Sequence, residues 1–309
     1  MLNLHSDTDL HVFLSGATTL RLCRWNAEMI RYALTGSTGL LGTALTQVSK
    51  PENIYTGDIR AYENVSCWIN GIKDVDAIIH LAALVPKQIV DLEPRKAFEI
   101  NVGGTINILE SLRRMRALGQ KTPWLFYAST SHVYAPSHNP IKEDATRDPF
   151  TLYGMTKLQG EQWCEAFARD FDISLCIGRI FSFSGQQQPD YYFLPAMFKK
   201  IREAEKGATL KILGVQGYRD FLRVPQICET IFALGEKKYE GSVNIGTGQA
   251  HKLSDLVLKV ATRLGREDLK FEFPEGSTEA LVANNELLHR LGVSMSCDID
   301  RLIDEMVST

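Results

Sequence analysis

The chain has 309 residues, 44% of them hydrophobic, enough to bury a substantial core in one large domain or in one domain with a smaller lobe. A formal charge of −3 gives no positive excess for nucleic acid or for an anionic membrane surface, and no run of about 18 apolar residues offers a membrane span. Six scattered cysteines (Cys23, Cys67, Cys164, Cys176, Cys228, Cys297) form no CxxC pair and no zinc spacing, so buried free thiols in a reducing, cytoplasmic setting are expected, with no metal.

Residues 1–28 lack the long apolar core of a signal peptide, and Arg21 and Arg24 sit late. They read either as an extension ahead of a start at Met29 or as an extra strand, with 11–14 pairing at a sheet edge. From Met29 short apolar strands alternate with helical stretches. A strand over 30–35 enters a glycine-rich turn, and a helix over 39–48 stops at Lys50-Pro51. A second strand is expected over 54–59, helical spacing over 64–72, and a strand buried on both faces over 77–81. A long helix over 97–118 follows, with Arg113, Arg114, Arg116 and Lys121 on its wet face; then come a strand over 124–128, a helix over 153–170 and a strand over 173–180. This alternation argues for an α/β fold, a doubly wound parallel sheet with its ligand cleft at the carboxyl ends of the strands. Beyond Phe181 the rhythm breaks. A polar loop over 185–192 carries three glutamines and a proline, then come a helix over 194–205, a short strand over 210–213, and a strand and turn over 241–248. The expected division is an extension (1–28), a nucleotide-binding domain (29–180, with 218–246 returning to it), and a smaller substrate lobe (181–217 and 247–309).

Thr35-Gly36-Ser37-Thr38-Gly39-Leu40-Leu41-Gly42 follows a strand and opens a helix. Gly36 permits the tight turn, Gly39 lets the backbone approach a diphosphate, and Gly42 lets helix and strand pack. The anion then sits at the helix N-terminus, where free N–H groups and the dipole favour it. Asp58, with Ile59 after it, lies about twenty residues past the turn, where a carboxylate can hold the adenosine ribose. The plainer alternative is a helix cap, and only one strand has room before Ala77, so adenine is another partner for it. Arg60 close by can instead favour a 2′-phosphate, which leaves NAD and NADP both open. His80-Leu81-Ala82-Ala83 ends a buried strand, where small side chains let a dinucleotide lie against the backbone. His80 itself reads as a packed histidine. Asn101 opens the long helix.

Tyr153-Gly154-Met155-Thr156-Lys157 matches YxxxK, and on a helix the two ends share a face. The ammonium should favour the phenolate and lower the tyrosine pKa toward a working acid or base. Ala128-Ser129-Thr130-Ser131-His132-Val133-Tyr134 supplies hydroxyls at a strand end. Counting back from Val133-Tyr134, Thr130 takes the catalytic position and Ser129 is the runner-up.

Together these motifs, over about 29–248, resemble the extended short-chain dehydrogenase/reductase family, its epimerase/dehydratase/reductase group. The resemblance implies a Rossmann fold, an NAD or NADP cofactor, a nucleotide-sugar substrate and a homodimer paired through 97–118 and 153–170. It implies catalysis by Thr130, Tyr153 and Lys157, and cofactor contacts from Gly36 to Leu41, Asp58, Ile59, Leu81, Ala82, Ala83, Asn101, Ala128, Ser129 and Ile180. Val85, Thr130, Ser131, Ser182 and Arg219 fall to the substrate. Ser182 replaces the asparagine of the family's arginine-x-phenylalanine-asparagine strand end. Arg219-Asp220-Phe221 is similar to the segment whose arginine grips a diphosphate, but Pro225 and Gln226 stand where the family has two aspartates, which puts helix capping there in doubt. Ser131 and His132 occupy the aspartate-glutamate positions of the 4,6-dehydratases, which disfavours water elimination. His132 is then either a second acid/base group or a hydrogen-bonding histidine beside the cleft. The loop over 185–198 is closest in pattern to the 4-keto-6-deoxy sugar-nucleotide reductases. The alternatives are a nucleotide-sugar 4-epimerase with retained NAD and a non-catalytic NAD(P)-binding regulatory protein.

Overall fold

The computed structural model describes residues 30–85 and 87–307, so the two readings of 1–28 and the start at Met29 lie outside the described residues. Strand β1 (Tyr32–Thr35) is buried throughout and passes through the glycine turn into α1 (Leu40–Val48). Strand β2 (Asn53–Tyr55) is shorter than expected, because the chain leaves the sheet before Gly57 and Asp58 and turns into α2 (Tyr62–Gly71). Strand β3 (Ala77–His80) leads to α3 (Lys87–Leu92) and α4 (Pro94–Phe98). The long helix expected over 97–118 is not uniform: α4 runs through a π-helical turn, Glu99–Gly103, into α5 (Gly104–Ala117). Strand β4 (Trp124–Thr130) continues past the expected end at 128. Helix α6 (Leu152–Phe171) opens with the Thr151 hydroxyl accepting from the Gly154 N–H at 3.0 Å, an N-cap that satisfies one orphan donor. Strand β5 (Leu175–Ile180) follows.

The second half builds β6 (Ser182–Ser184), α7 (Phe193–Arg202), β7 (Thr209–Lys211), β8 (Tyr218–Arg219), β9 (Phe221–Arg223) and α8 (Val224–Glu236). It ends with β10 (Gly241–Ile245), β11 (His251–Lys252), α9 (Leu253–Arg263), β12 (Lys270–Glu272), β13 (Ala280–Leu281), α10 (Glu286–Arg290) and α11 (Ile299–Val307). The capping doubt at α8 resolves locally. The Gln226 side-chain oxygen accepts from the Arg223 N–H at 3.0 Å, and Pro225 sits in the first turn, where a missing N–H costs nothing.

Six parallel strands form the central sheet in the order β10-β5-β4-β3-β1-β2. Side chains alternate across it, as strand geometry requires. Tyr32, Leu34 and Phe126 pack with Leu45 of α1 and Ile227 and Ile231 of α8. Ala33, Leu125 and Ile177 pack on the other face with Val65, Leu109 and Cys164. A separate core joins α7, α9 and α11 through Leu194, Phe198, Val257, Leu302 and Ile303. Leu281, Ala283, Leu288 and Met295, placed by sequence in the lobe, pack against the sheet instead. Among the described residues no helix is long and apolar enough to cross a membrane. Cys67 is exposed while Cys164, Cys176, Cys228 and Cys297 are buried and free, and Cys23 lies outside the described residues.

Candidate active site

A cleft of about 920 Å³ runs along the carboxyl ends of β1, β3, β4 and β5 and out to the α7 and α9 lobe. At one end the glycine turn is shaped by its neighbours. Gly36 has φ +75°, and a Cβ there would stand 2.6 Å from the Ala82 nitrogen. A Cβ on Gly42 would stand 2.1 Å from the Gly36 carbonyl oxygen, so α1 rests directly on the turn. Gly39, the N-cap of α1, is different: a Cβ there meets only the Gly36 oxygen, at 3.5 Å. The protein leaves that side open, facing the cleft, where a diphosphate would lie against free helix N–H groups. The residues present therefore fit a dinucleotide. Thr38, Leu40, Leu41, Leu81, Ala82, Ala83, Ala128 and Ile180 complete this part of the lining.

Four residues expected at the cofactor are not in this lining. Asp58 is a surface carboxylate clasped by Arg60, with nitrogen–oxygen distances of 2.6 and 3.0 Å, and that bond holds its pKa below the usual carboxylate range. Ile59 is buried under Gly104 in the core. Ser37 is not part of the lining. Asn101 is buried behind the wall, where its amide accepts from the Leu84 N–H and donates to the Leu84 carbonyl and to the Thr156 hydroxyl, at 2.7, 3.0 and 2.9 Å. It ties the loop after β3 to α6. His80 is held between the Thr35 and Thr105 hydroxyls at 2.7 and 3.1 Å, and burial pulls its pKa down to about 3, so it is neutral and structural.

At the middle of the cleft Thr130, Ser131, His132, Tyr153 and Lys157 come together. Strand β4 delivers Thr130, and the first two turns of α6 deliver Tyr153 and Lys157. Gly154 allows this approach, since a Cβ there would lie 2.3 Å from the His132 carbonyl oxygen. Burial raises the Tyr153 phenol well above its ordinary value, and Tyr192 adds to this, while a hydrogen bond with Thr130 pulls it back. The lowering expected from Lys157 does not govern: desolvation does. Lys157 is 3% exposed, its ammonium stands 4.0 Å over the Tyr127 ring, and burial lowers its pKa to about 8. Ser129 also borders the cleft, yet its hydroxyl donates to the buried Glu161 carboxylate in a short bond, which favours Thr130 over Ser129 as the catalytic hydroxyl. His132 stacks on Phe150 at 5.7 Å and meets the Tyr153 ring edge-on at 6.2 Å. Burial, then the nearby Arg219 charge, lowers its pKa to about 4, and its buried Nδ1 has no partner among the described residues.

The far end is walled by Val85, Ser182 and Arg219. The Arg219 guanidinium donates to the Tyr218 and Glu279 carbonyls at 2.7 and 3.4 Å, and burial lowers its pKa, an arrangement that leaves its charge available to an anion. Asp220 behind it accepts from Thr247, Gly248 and Ala283 N–H groups at 3.0, 2.9 and 3.2 Å, which fixes the segment. Sequence reasoning passed over Phe183, Gln187, Gln188, Tyr191, Tyr192 and Leu253 in this lining. The Tyr191-Tyr192 pair inside a polar loop was the available signal; Leu253 had none.

A family model described as the NAD dependent epimerase/dehydratase family matches residues 32–246. The GDP-6-deoxy-D-mannose reductase of Pseudomonas aeruginosa is 28% identical over 191 residues, 59% of this chain and 61% of that protein, so the match spans less than two thirds of the relative. The UDP-glucose 4-epimerase of Lacticaseibacillus casei is 29% identical over 280 residues, 81% of each chain. The solved structure of RMD from Pseudomonas aeruginosa complexed with NADPH superposes with a TM-score of 0.78 at 21% identity, covering 90% of this chain and 98% of that one, which shows a common fold. The chain is an enzyme-family member with a Rossmann-type sheet, and it belongs to the NAD dependent epimerase/dehydratase family.

Proposed function

We propose that the protein reduces the C4 ketone of a 4-keto-6-deoxy sugar nucleotide at the expense of NADH or NADPH. The observation that carries this reading is the convergence of Thr130, Tyr153 and Lys157 on one wall of a cleft with the open Gly39 backbone at one end and the Arg219 cation at the other. When bound, the reduced nicotinamide supplies the hydride. Thr130 holds the ketone oxygen, Tyr153 gives that oxygen its phenolic proton, and Lys157 supports the phenolate left behind while also holding the nicotinamide ribose. A phenol that burial keeps protonated suits a proton donor. Arg219 grips the diphosphate, with Val85, Ser131 and Ser182 along the sugar, and His132 beside the hexulose as a second polar group.

A second reading is a nucleotide-sugar 4-epimerase, favoured by the longer match to an epimerase. Following absorbance of NADPH or NADH with dTDP-, GDP- and UDP-4-keto-6-deoxyhexoses separates the two. Net oxidation that Tyr153→Phe abolishes supports the reductase. Interconversion of ordinary UDP-hexoses without net oxidation supports the epimerase.

We also infer a homodimer. Leu109 and Leu112 of α5 are buried against the sheet, while Leu152, Met155 and Trp163 stay exposed along α6, as do Leu92 of α3 and Phe98 of α4. A monomeric mass in solution would overturn it.

A further inference from the structure

Behind the catalytic wall lies a polar cluster that the proposed chemistry does not use. Glu161, on α6, is fully buried. Its carboxylate accepts from the Arg179 guanidinium at 2.8 and 3.0 Å, from Arg147 at 3.2 Å, and from the Ser129 hydroxyl in a short bond. Arg179 spends its remaining donors on the Tyr134 hydroxyl and the Glu143 carbonyl, each at 2.7 Å. Ser129 and Arg179 are register partners on β4 and β5, so they emerge side by side on the face that α6 covers. Thr130 is the next residue on β4 and therefore points the other way. Glu161 also lies one helical turn from Lys157, on the same face of α6.

A buried ion pair is no stronger than well-packed apolar side chains of the same size, so filling space does not explain this one. What it adds is orientation and charge. Lys157 forms no ion pair of its own among the described residues. The titratable groups around it are Tyr153, Glu161 and Cys164 from α6, Tyr127 from β4 and His80 from β3. Burial holds the Cys164 thiol far above its usual range and keeps His80 and Tyr127 neutral. That leaves Glu161 as the standing negative charge, with Arg179 and Arg147 behind it.

We propose that Glu161 is a positioning residue for both arms of the site: it anchors the Ser129 hydroxyl, and with it the strand end that carries Thr130, and it supplies the counter-charge for the Lys157 ammonium. The proposal rests on the reading that Thr130, Tyr153 and Lys157 carry the reaction. Removing the Glu161 charge exposes Lys157 to two uncompensated guanidinium groups, so Lys157 loses its proton at lower pH. Removing Arg147, at 29% side-chain exposure a mild change, strengthens the Glu161 field and does the opposite.

The test is the dissociation constant of NADPH, read by nucleotide fluorescence across the alkaline range, beside turnover. In the wild type the affinity should fall as Lys157 deprotonates, near pH 8. Glu161→Gln should move that midpoint down by about one pH unit, and Arg147→Gln should move it up by about half a unit. Ser129→Ala should leave the midpoint in place and lower kcat by roughly tenfold, because the Thr130 strand end loses its anchor. Midpoints that coincide, or that move in the same direction in the two charge variants, overturn the counter-charge role; wild-type kcat in Ser129→Ala overturns the anchoring role. Should Glu161→Gln fail to fold by circular dichroism, the upward shift in Arg147→Gln decides the sign alone. A wild type that binds NADPH but turns over no sugar nucleotide sinks the proposed function, while the midpoints still judge Glu161.

Discussion

Under the Tyr153 end of the cleft, Glu161, Arg179 and Asn244 are fully buried, and each finds its hydrogen-bond partners inside the protein. The opposite wall is a loop in which Tyr191 is 44% exposed and Gln187 sits at φ +65°, beside Arg219 at the end of β8, held by two carbonyls. One end is thus built for invariance of geometry and the other for adjustment.

The largest expected effect tests the glycine turn, where both ends of the cleft depend on the cofactor. Gly42→Ala forces a Cβ against backbone and should destabilise the fold by about 3 kcal/mol, read as a lowered Tm. Gly39→Ala has room within the protein, so Tm should hold while NADPH affinity drops tenfold or more. Equal losses of Tm in the two variants would erase the distinction.

At the adjustable end, Arg219→Gln should raise the KM for the nucleotide sugar by roughly 10- to 100-fold with kcat little changed, the loss of charge-assisted hydrogen bonds worth about 1.5–3 kcal/mol. A fall in kcat with unchanged KM would place Arg219 with the chemistry instead.

The two buried histidines sharpen the comparison further. Both are depressed, His80 to about 3 and His132 to about 4, so both stay neutral in the fold while unfolded histidines protonate below about pH 6.5. Stability is complete above that value and is lost as pH falls, by about 1.4 kcal/mol per unit for each group, down to about 4 for His132 and about 3 for His80. Denaturant midpoints from pH 7 to 5 should show it. The smallest effect is His132→Gln: turnover should fall by about tenfold or less, with cofactor affinity intact and no change in the pH profile between 5 and 8. A profile limb near 6 that the substitution removes would make His132 a titrating acid.

Legibility in the sequence followed the range of the interaction. The strands, the glycine turn and the YxxxK helix were readable because each is a local pattern, and β1, α1 and α6 appear within a residue or two of expectation. Asp58 was read from its spacing to the turn, whereas its contact with Arg60, only two residues on, is what the fold adds at the surface. The Glu161–Ser129 bond was invisible, spanning 32 positions with no local signature. The capping of helix α8 was left in doubt because its N-terminus is capped from inside, by Gln226. Leu253 joined the cleft only through the packing of α9 onto α7.

The π-helical turn at Glu99–Gly103 carries a further consequence. An α-helix advances about 100° per residue, so one residue accommodated in a wider turn offsets every side chain beyond it by that angle. Asn101 sits within this turn and reaches both Leu84 and Thr156, while Thr105 and Leu109, after it, face His80 and the sheet. Losing a single residue here would swing either the anchor or the rest of α5 out of phase. The segment is therefore a reading frame in three dimensions, whose residue count is fixed as firmly as its Asn101 anchor.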